Sequence, residues 1–190
     1  MRDVSEPEYG GAINSKTGKQ LFYKQGDQLS IKLTDAESKL MRGQVFTHTH
    51  PNGSSFSFAD IAAAGSHYLK EMRVVGIQAR DNGERFLYRL KTGMQTNQIY
   101  TFTKDTTFLS PHTRFALSGP VKSETITAGT TVTRAEYYEY QINHEWVTKY
   151  RATIAPGKRS VDDAFILLTH DVISELASKF KFAYKRELIK

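Results

Sequence analysis

The chain has no cysteine among its 190 residues. That excludes a disulfide framework, thiolate chemistry and cysteine-based zinc sites, so any metal site must use His, Asp, Glu and water. Proline is scarce, at 5 residues, and no repeat or low-complexity tract occurs, which excludes collagen-like and disordered classes. Long hydrophobic runs are missing as well. The longest, Ile61–Ala64 and Ala164–Leu168, are far too short to cross a bilayer, and no charged-then-apolar leader opens the chain. A soluble, cytoplasmic protein with no membrane partner is the expectation.

An excess of one charge sign in either half is also absent. The formal charge is +6, yet residues 1–95 and 96–190 each hold 13 Lys and Arg against 10 Asp and Glu. The one local surplus is Lys179, Lys181, Lys185, Arg186 and Lys190. It reads as a solvated face near the chain end rather than a nucleic-acid interface, because no nucleic-acid-reading motif accompanies it.

What is present suffices for one domain, or one domain with an elaboration. Hydrophobic residues make up 39% of the chain and aromatics 12%. Tyr9–Asn14 and Lys19–Lys24 read as strands flanking Ser15-Lys16-Thr17-Gly18, a hairpin turn. Thr34-Asp35-Ala36-Glu37 has capping-box spacing and starts a short helix to about Met41. Gln44–Thr49 reads as a buried strand. Ser57-Phe58-Ala59-Asp60 is a second such cap, opening a helix to about Glu71. Arg73–Arg80 and Arg85–Lys91 read as strands joined through Asp81-Asn82-Gly83. The order β-β-α-β-α-β-β predicts a mixed α/β sandwich.

Beyond Lys91 the texture changes. Residues 92–133 are threonine-rich, with short alternating segments at Ile99–Thr103 and Glu124–Val132. Thr133-Arg134-Ala135-Glu136 caps a helix to about Lys149 with Ala135, Tyr138, Ile142 and Trp146 as its stripe. Ala155-Pro156-Gly157-Lys158 reads as a linker. Ser160 caps a last helix striped by Val161, Phe165, Leu168, Val172, Leu176 and Phe180, and a final strand covers about Phe182–Leu188. The aromatic stripes read as core packing. Three segments result: a core over 1–91, a β-rich and helical insertion over 92–159, and a helix and strand over 160–190 that complete the core.

The chemistry concentrates in Val45-Phe46-Thr47-His48-Thr49-His50-Pro51-Asn52-Gly53-Ser54-Ser55-Phe56-Ser57-Phe58-Ala59-Asp60. On a strand, side chains repeat every two residues, so His48 and His50 share a face. Pro51 ends the strand, and Gly53 lets the chain reverse toward the helix at Ser57. Asp60, in that helix's first turn, can swing back toward the histidines. Two imidazoles, one carboxylate and a water make a four-coordinate site with one exchangeable position, the catalytic type of zinc site. Against this stands the plainer reading of two polar residues at a strand end and a carboxylate that only caps a helix. His67, two turns beyond Asp60, is a candidate supporting residue, and the other histidines read as surface or satisfied side chains.

The combination resembles the JAMM (MPN+) metallopeptidases, whose signature is a Glu on an early strand, His-x-His-Pro, a short loop and Ser-x-x-Asp. The resemblance implies a three-layer, cytidine-deaminase-like α/β sandwich with a mixed sheet. It implies one zinc ion held by His48, His50 and Asp60, Glu8 as the base for the metal-activated water, and Ser57 as a hydroxyl supporting the tetrahedral intermediate. Glu6 competes with Glu8, two residues earlier on the same strand face. The implied function is hydrolysis of a peptide or isopeptide bond in a protein or peptide substrate.

Six residues separate His50 from Ser57, where the common family pattern has seven. The shorter loop with Gly53-Ser54-Ser55-Phe56-Ser57 is similar to the JAMM-like domain of phage head-morphogenesis and minor capsid proteins. His170-Asp171-Val172 through Ala177 and Tyr184-Lys185-Arg186-Glu187 are loosely similar to the closing helix and strand there. That resemblance implies a phage or host protein partner and a place in the bacterial host cytoplasm or the virion. Two other readings stay open: an assembly module of the same fold without turnover, and a phosphoesterase with a His-x-His strand.

Overall fold

In the computed structural model, residues 6–27, 30–51, 53–77, 84–91, 93, 99–111, 121–153, 170–171, 173–179 and 181–189 are described. The core elements are β1 (Tyr9–Ile13), β2 (Gln20–Gln25), α1 (Asp35–Met41), β3 (Val45–His50), α2 (Phe58–Ser66), β4 (Glu71–Gly76) and β5 (Arg85–Lys91). The segment expected as an insertion holds β6 (Ile99–Thr101), β7 (Thr106–Pro111), β8 (Val121–Ile126), β9 (Thr131–Thr133) and α3 (Arg134–Thr153). After the helical residues 170–171 and 173–179, β10 (Ala183–Ile189) ends the chain's regular structure.

Six strands form one mixed sheet in the order β10-β5-β4-β3-β1-β2. Only β3 and β4 run parallel, joined by α2 as the crossover; every other neighbouring pair in this sheet is antiparallel. The architecture is therefore mixed α/β around a sheet-rich core.

Register places the side chains in rows across the sheet. One row aligns Phe22, Ala12, Phe46, Met72, Leu90 and Tyr184. The next aligns Gly10, His48, Val74 and Tyr88, and the last pairs His50 with Gly76. This face meets Met41 of α1, Ile61 and Ala64 of α2, and Ile173, Leu176 and Ala177 in a single hydrophobic core. Each large aliphatic or aromatic side chain so removed from water contributes about 1.5–3 kcal/mol.

The opposite face carries ions. Glu71, 5% exposed, accepts from Arg73 Nε at 2.6 Å and Arg89 Nε at 2.7 Å, with Lys91 Nζ at 3.6 Å. Among the described residues, α1, α2 and the helical residues 173–179 all contribute to the one main core.

Both predicted core caps form as reciprocal capping boxes, at Thr34–Glu37 and Ser57–Asp60. The end of α2 differs from the expected Glu71. The helix stops at Ser66, where Tyr68 N–H donates to Gly65 O and Leu69 N–H to Ala64 O. Tyr68 takes φ 50° there, so the termination is a Schellman motif with tyrosine at the left-handed position normally held by glycine. Glu71 consequently opens β4, two residues earlier than the expected Arg73.

In the insertion, β6 pairs with β9 and β7 with β8, and the expected segment Glu124–Val132 divides between β8 and β9 at Gly129. Phe102, Phe108 and Ile126 form a second small core against Tyr100, Val132, Tyr137 and Tyr140. Tyr137 stacks on Tyr100 at 3.7 Å between centroids and also packs on the main core, tying the two together. Thr133 caps α3 as expected, exchanging hydrogen bonds with Glu136, and the helix runs past Lys149 to Thr153. The side chains of Ala135, Tyr138, Ile142 and Trp146 lie outside the described set. So do the Asp81-Asn82-Gly83 turn, the 155–158 linker, the Ser160 cap, His112, and Val161, Phe165, Leu168, Val172 and Phe180 of the last stripe. Leu176 of that stripe is buried in the main core.

Within the C-terminal basic cluster, Lys179 pairs with Glu145 at 2.8 Å and Lys185 with Glu187 at 2.6 Å, while Arg186 lies over the Phe86 ring. Among the described residues, no helix is long and apolar enough to cross a membrane.

Candidate metal centre

The site lies at the carboxyl end of β3 and the start of α2. His48 and His50 project from one face of the strand into the core and are both buried. Room for His48 comes from its neighbour on β1. Gly10 is its register partner, and a Cβ there would stand 3.0 Å from His48 Cβ and 2.5 Å from Ile31 Cδ1.

Asp60 reaches the histidines because the helix cap folds its carboxylate back. Its Oδ2 accepts from Ser57 N at 2.6 Å and from Ser57 Oγ at 2.8 Å, while Asp60 N donates to Ser57 Oγ at 3.2 Å. Oδ1 is left facing His48 Nε2 at 3.1 Å. His50 Nε2 lies 3.4 Å from Oδ2 and 3.2 Å from His48 Nε2. The carboxylate is thus both the cap and a partner of the histidine pair.

These separations test whether a metal fits. Zinc–nitrogen and zinc–oxygen bonds of about 2.0–2.1 Å at tetrahedral angles set neighbouring ligand atoms ~3.3 Å apart. His48 Nε2 stands close to that value from His50 Nε2, at 3.2 Å, and from Asp60 Oδ1, at 3.1 Å, while His50 Nε2 stands 3.4 Å from the other carboxylate oxygen, Oδ2. His48, His50 and Asp60 therefore form a group with the donor types and spacing to hold a metal ion. No other group of three such residues occurs among the described residues.

His50 is oriented from behind. Its Nδ1 lies 3.0 Å from Ser54 Oγ and 3.2 Å from Ser54 O, so an Nδ1–H donates to Ser54 and the Nε2 lone pair faces the cluster. Among the described residues, the buried Nδ1 of His48 has no hydrogen-bond partner.

The electrostatics favour positive charge at this point. Burial alone would lower the pKa of His50, but the Asp60 hydrogen bond and charge, then the charge of Glu8 and the Ser54 backbone, raise it above 6.5. Burial would likewise raise Asp60, yet the charge and hydrogen bond of His48, with those of His50, hold it well below the usual carboxylate range.

Glu8 stands next to this cluster. Its N–H donates to Asp27 O at 2.9 Å and its carbonyl accepts from Gly26 N at 2.8 Å, extending the β1–β2 ladder past Tyr9. Tyr9 N donates to Thr49 Oγ1 at 2.9 Å. Glu8 is partly buried, whereas Glu6 is exposed.

The other described histidines, His67, His144 and His170, fall elsewhere. His67 caps the C-terminal end of α2, about 10 Å along the axis from Asp60, and takes no place in the cluster. Burial, then Arg42, lowers its pKa. His144 Nδ1 accepts from Leu109 N at 3.1 Å, and His170 Nδ1 meets Tyr184 Oη at 2.7 Å. Sequence reasoning missed Ser54. Its only signal was a hydroxyl four residues beyond His50, in a loop whose path the sequence does not disclose. No family model matches the chain, and neither a curated protein nor a solved structure gives a significant match.

Proposed function

We propose that this chain is a zinc-dependent peptidase or isopeptidase with a JAMM-like, deaminase-type fold. The observation that carries the reading is the convergence of His48 Nε2, His50 Nε2 and the Asp60 carboxylate, in contact at 3.1, 3.2 and 3.4 Å. His48, His50 and Asp60 would hold the ion. Bound zinc supplies Lewis acidity and lowers the pKa of a coordinated water to about 7.

The chain's own residues do the rest. The Glu8 carboxylate takes a proton from the attacking water and returns it to the leaving nitrogen, which makes an amide the fitting substrate. The Ser57 hydroxyl donates to the developing oxyanion once it rotates away from Asp60 Oδ2. Ser54 keeps the His50 ring in the tautomer that offers Nε2. The loop Gly53-Ser54-Ser55-Phe56-Ser57 aligns the protein with the phage head-morphogenesis branch, hence with a phage or bacterial source and a virion or host protein as substrate or partner.

The engagement of Ser57 Oγ by Asp60 favours a second reading, a metal-holding assembly module of the same fold without turnover. Two variants decide between these. Mass spectrometry of metal in protein purified without chelator is expected to find about one zinc per chain, lost in His48→Ala. Glu8→Gln is expected to keep zinc and lose hydrolysis of amide substrates by about 100-fold or more. Absence of zinc from the wild type sinks the metal reading, whereas a zinc-loaded wild type inert toward amides selects the assembly module.

A further inference from the structure

The loop between β3 and α2 is tied to three different strands. Gly53 O accepts from the Tyr88 hydroxyl of β5 at 3.2 Å. Ser54 holds His50 of β3 through Nδ1. Ser55 Oγ shares a hydrogen bond of 2.8 Å with the Tyr184 hydroxyl of β10, which also meets His170 Nδ1 at 2.7 Å. A tyrosine hydroxyl donates one hydrogen bond and accepts others, so it satisfies both neighbours at once. The Tyr184 ring stands edge-on to Phe56, which is fully buried.

The reach of this contact is unusual. In sheet order, β10 is separated from β3 by β5 and β4, a span of about 14 Å at ordinary strand spacing. The loop packs over Gly76 of β4, where a Cβ would stand 3.0 Å from both Gly53 Cα and Gly53 O, and the Tyr88 and Tyr184 side chains reach it from β5 and β10. Ser54 is therefore fixed between two anchors, Gly53 on one side and Ser55 on the other. An interaction that fixes the far nitrogen of a ligand imidazole sets its orientation and its metal affinity.

We infer that Tyr184 is a positioning residue for the metal centre, acting through Ser55 on the contact between Ser54 and His50. The inference rests on the reading of His50 as a ligand. It makes the last strand of the chain a determinant of the site's geometry, although Tyr184 touches no ligand directly.

The test uses the wild type, Tyr184→Phe, Ser55→Ala and the double variant. Zinc dissociation constants come from competition with a chelator of known affinity, and the His50 ring nitrogens are followed by 15N NMR in metal-free protein. Phenylalanine keeps the ring against Phe56, so the fold persists. Each single variant is expected to weaken zinc about tenfold and to shift the His50 Nδ1 resonance, with the double variant no weaker than either single. Additive losses near 100-fold in the double variant, or unchanged affinity and an unchanged His50 spectrum in both singles, overturn the inference. Should Tyr184→Phe fail to fold, Ser55→Ala decides by the same two readouts. A wild type that binds no zinc refutes the proposed function instead, and the His50 spectrum of the metal-free variants still decides whether Tyr184 orients that ring.

Discussion

Gly10 shows how a single missing side chain admits a functional one. Its place opposite His48 leaves no room for a methyl group, with Ile31 Cδ1 at 2.5 Å, His48 Cβ at 3.0 Å and Phe46 Cζ at 3.1 Å from where a Cβ would stand. Ile31 can swing aside, but His48 and Phe46 are held in the strand. Gly10→Ala is expected to cost about 1–3 kcal/mol in urea unfolding and to weaken zinc about tenfold in a chelator competition. Gly76→Ala should cost at least as much, because all three atoms it would meet belong to the Gly53 backbone. Zinc binding at wild-type strength in Gly10→Ala would mean that His48 does not depend on the bare strand beside it. The histidine pair itself was legible in the sequence, since the two-residue repeat of a strand is a local rule. The glycines were not, because their role depends on which strands become neighbours. Glu8 illustrates the same division: its type and its place before a strand were readable, whereas its charge on His50 comes from a ladder between β1, β2 and β3.

At the scale of elements, helix starts were readable, whereas of the ends that of α1 at Met41 was readable and that of α2 was not. Thr34, Ser57 and Thr133 each stand three residues before an acid, and all three boxes form. An N-cap announces itself through side-chain chemistry. The end of α2 relies instead on Tyr68 in the left-handed region, and a similar end occurs where Lys181 takes φ 57° and Phe182 N donates to Ala177 O. Neither position carries the glycine that signals such a turn. The cap at Ser57 has a second duty, and two substitutions separate the duties. Ser57→Ala should lose about 1 kcal/mol of stability in urea unfolding and retain zinc, while Ser57→Thr should lose little. Asp60→Asn retains an oxygen to accept from Ser57 N–H but removes the charge. It should unfold within about 1 kcal/mol of the wild type and bind zinc at least tenfold more weakly. Equal zinc affinity in Asp60→Asn would reduce Asp60 to a helix cap.

Across the whole molecule, the two faces of the sheet do different work. One buries the core and the His48-His50-Asp60 group that could hold a metal ion; the other carries an ionic network that the sequence concealed. Glu71 and Arg73 share that face of β4, but a helix expected to reach Glu71 hides a relation that exists only on a strand. Arg89 and Lys91 come from the neighbouring β5, and Arg89 NH1 reaches on to Glu187 of β10 at 3.7 Å. Burial would raise the pKa of Glu71, but the hydrogen bonds from Arg89 and Arg73 and then their charges hold it at about 2, against 4.5 unperturbed. A carboxylate depressed in the folded state adds stability that is complete above the unfolded value. That stability is lost as pH falls through the folded one. At about 1.4 kcal/mol per unit, reduced for the solvent around the half-exposed arginines, the contribution is on the order of 2 kcal/mol at neutral pH. Glu71→Gln should therefore lower the urea midpoint at pH 7, and its difference from the wild type should shrink between about pH 4.5 and pH 2 as the wild type loses the Glu71 charge that the variant never had. A difference that stays constant across that window would assign the loss to packing of the glutamine rather than to the ion network. Because β4 carries Glu71 on one face and Val74 beside His48 on the other, zinc affinity measured in the same variant reports how far the two faces are coupled.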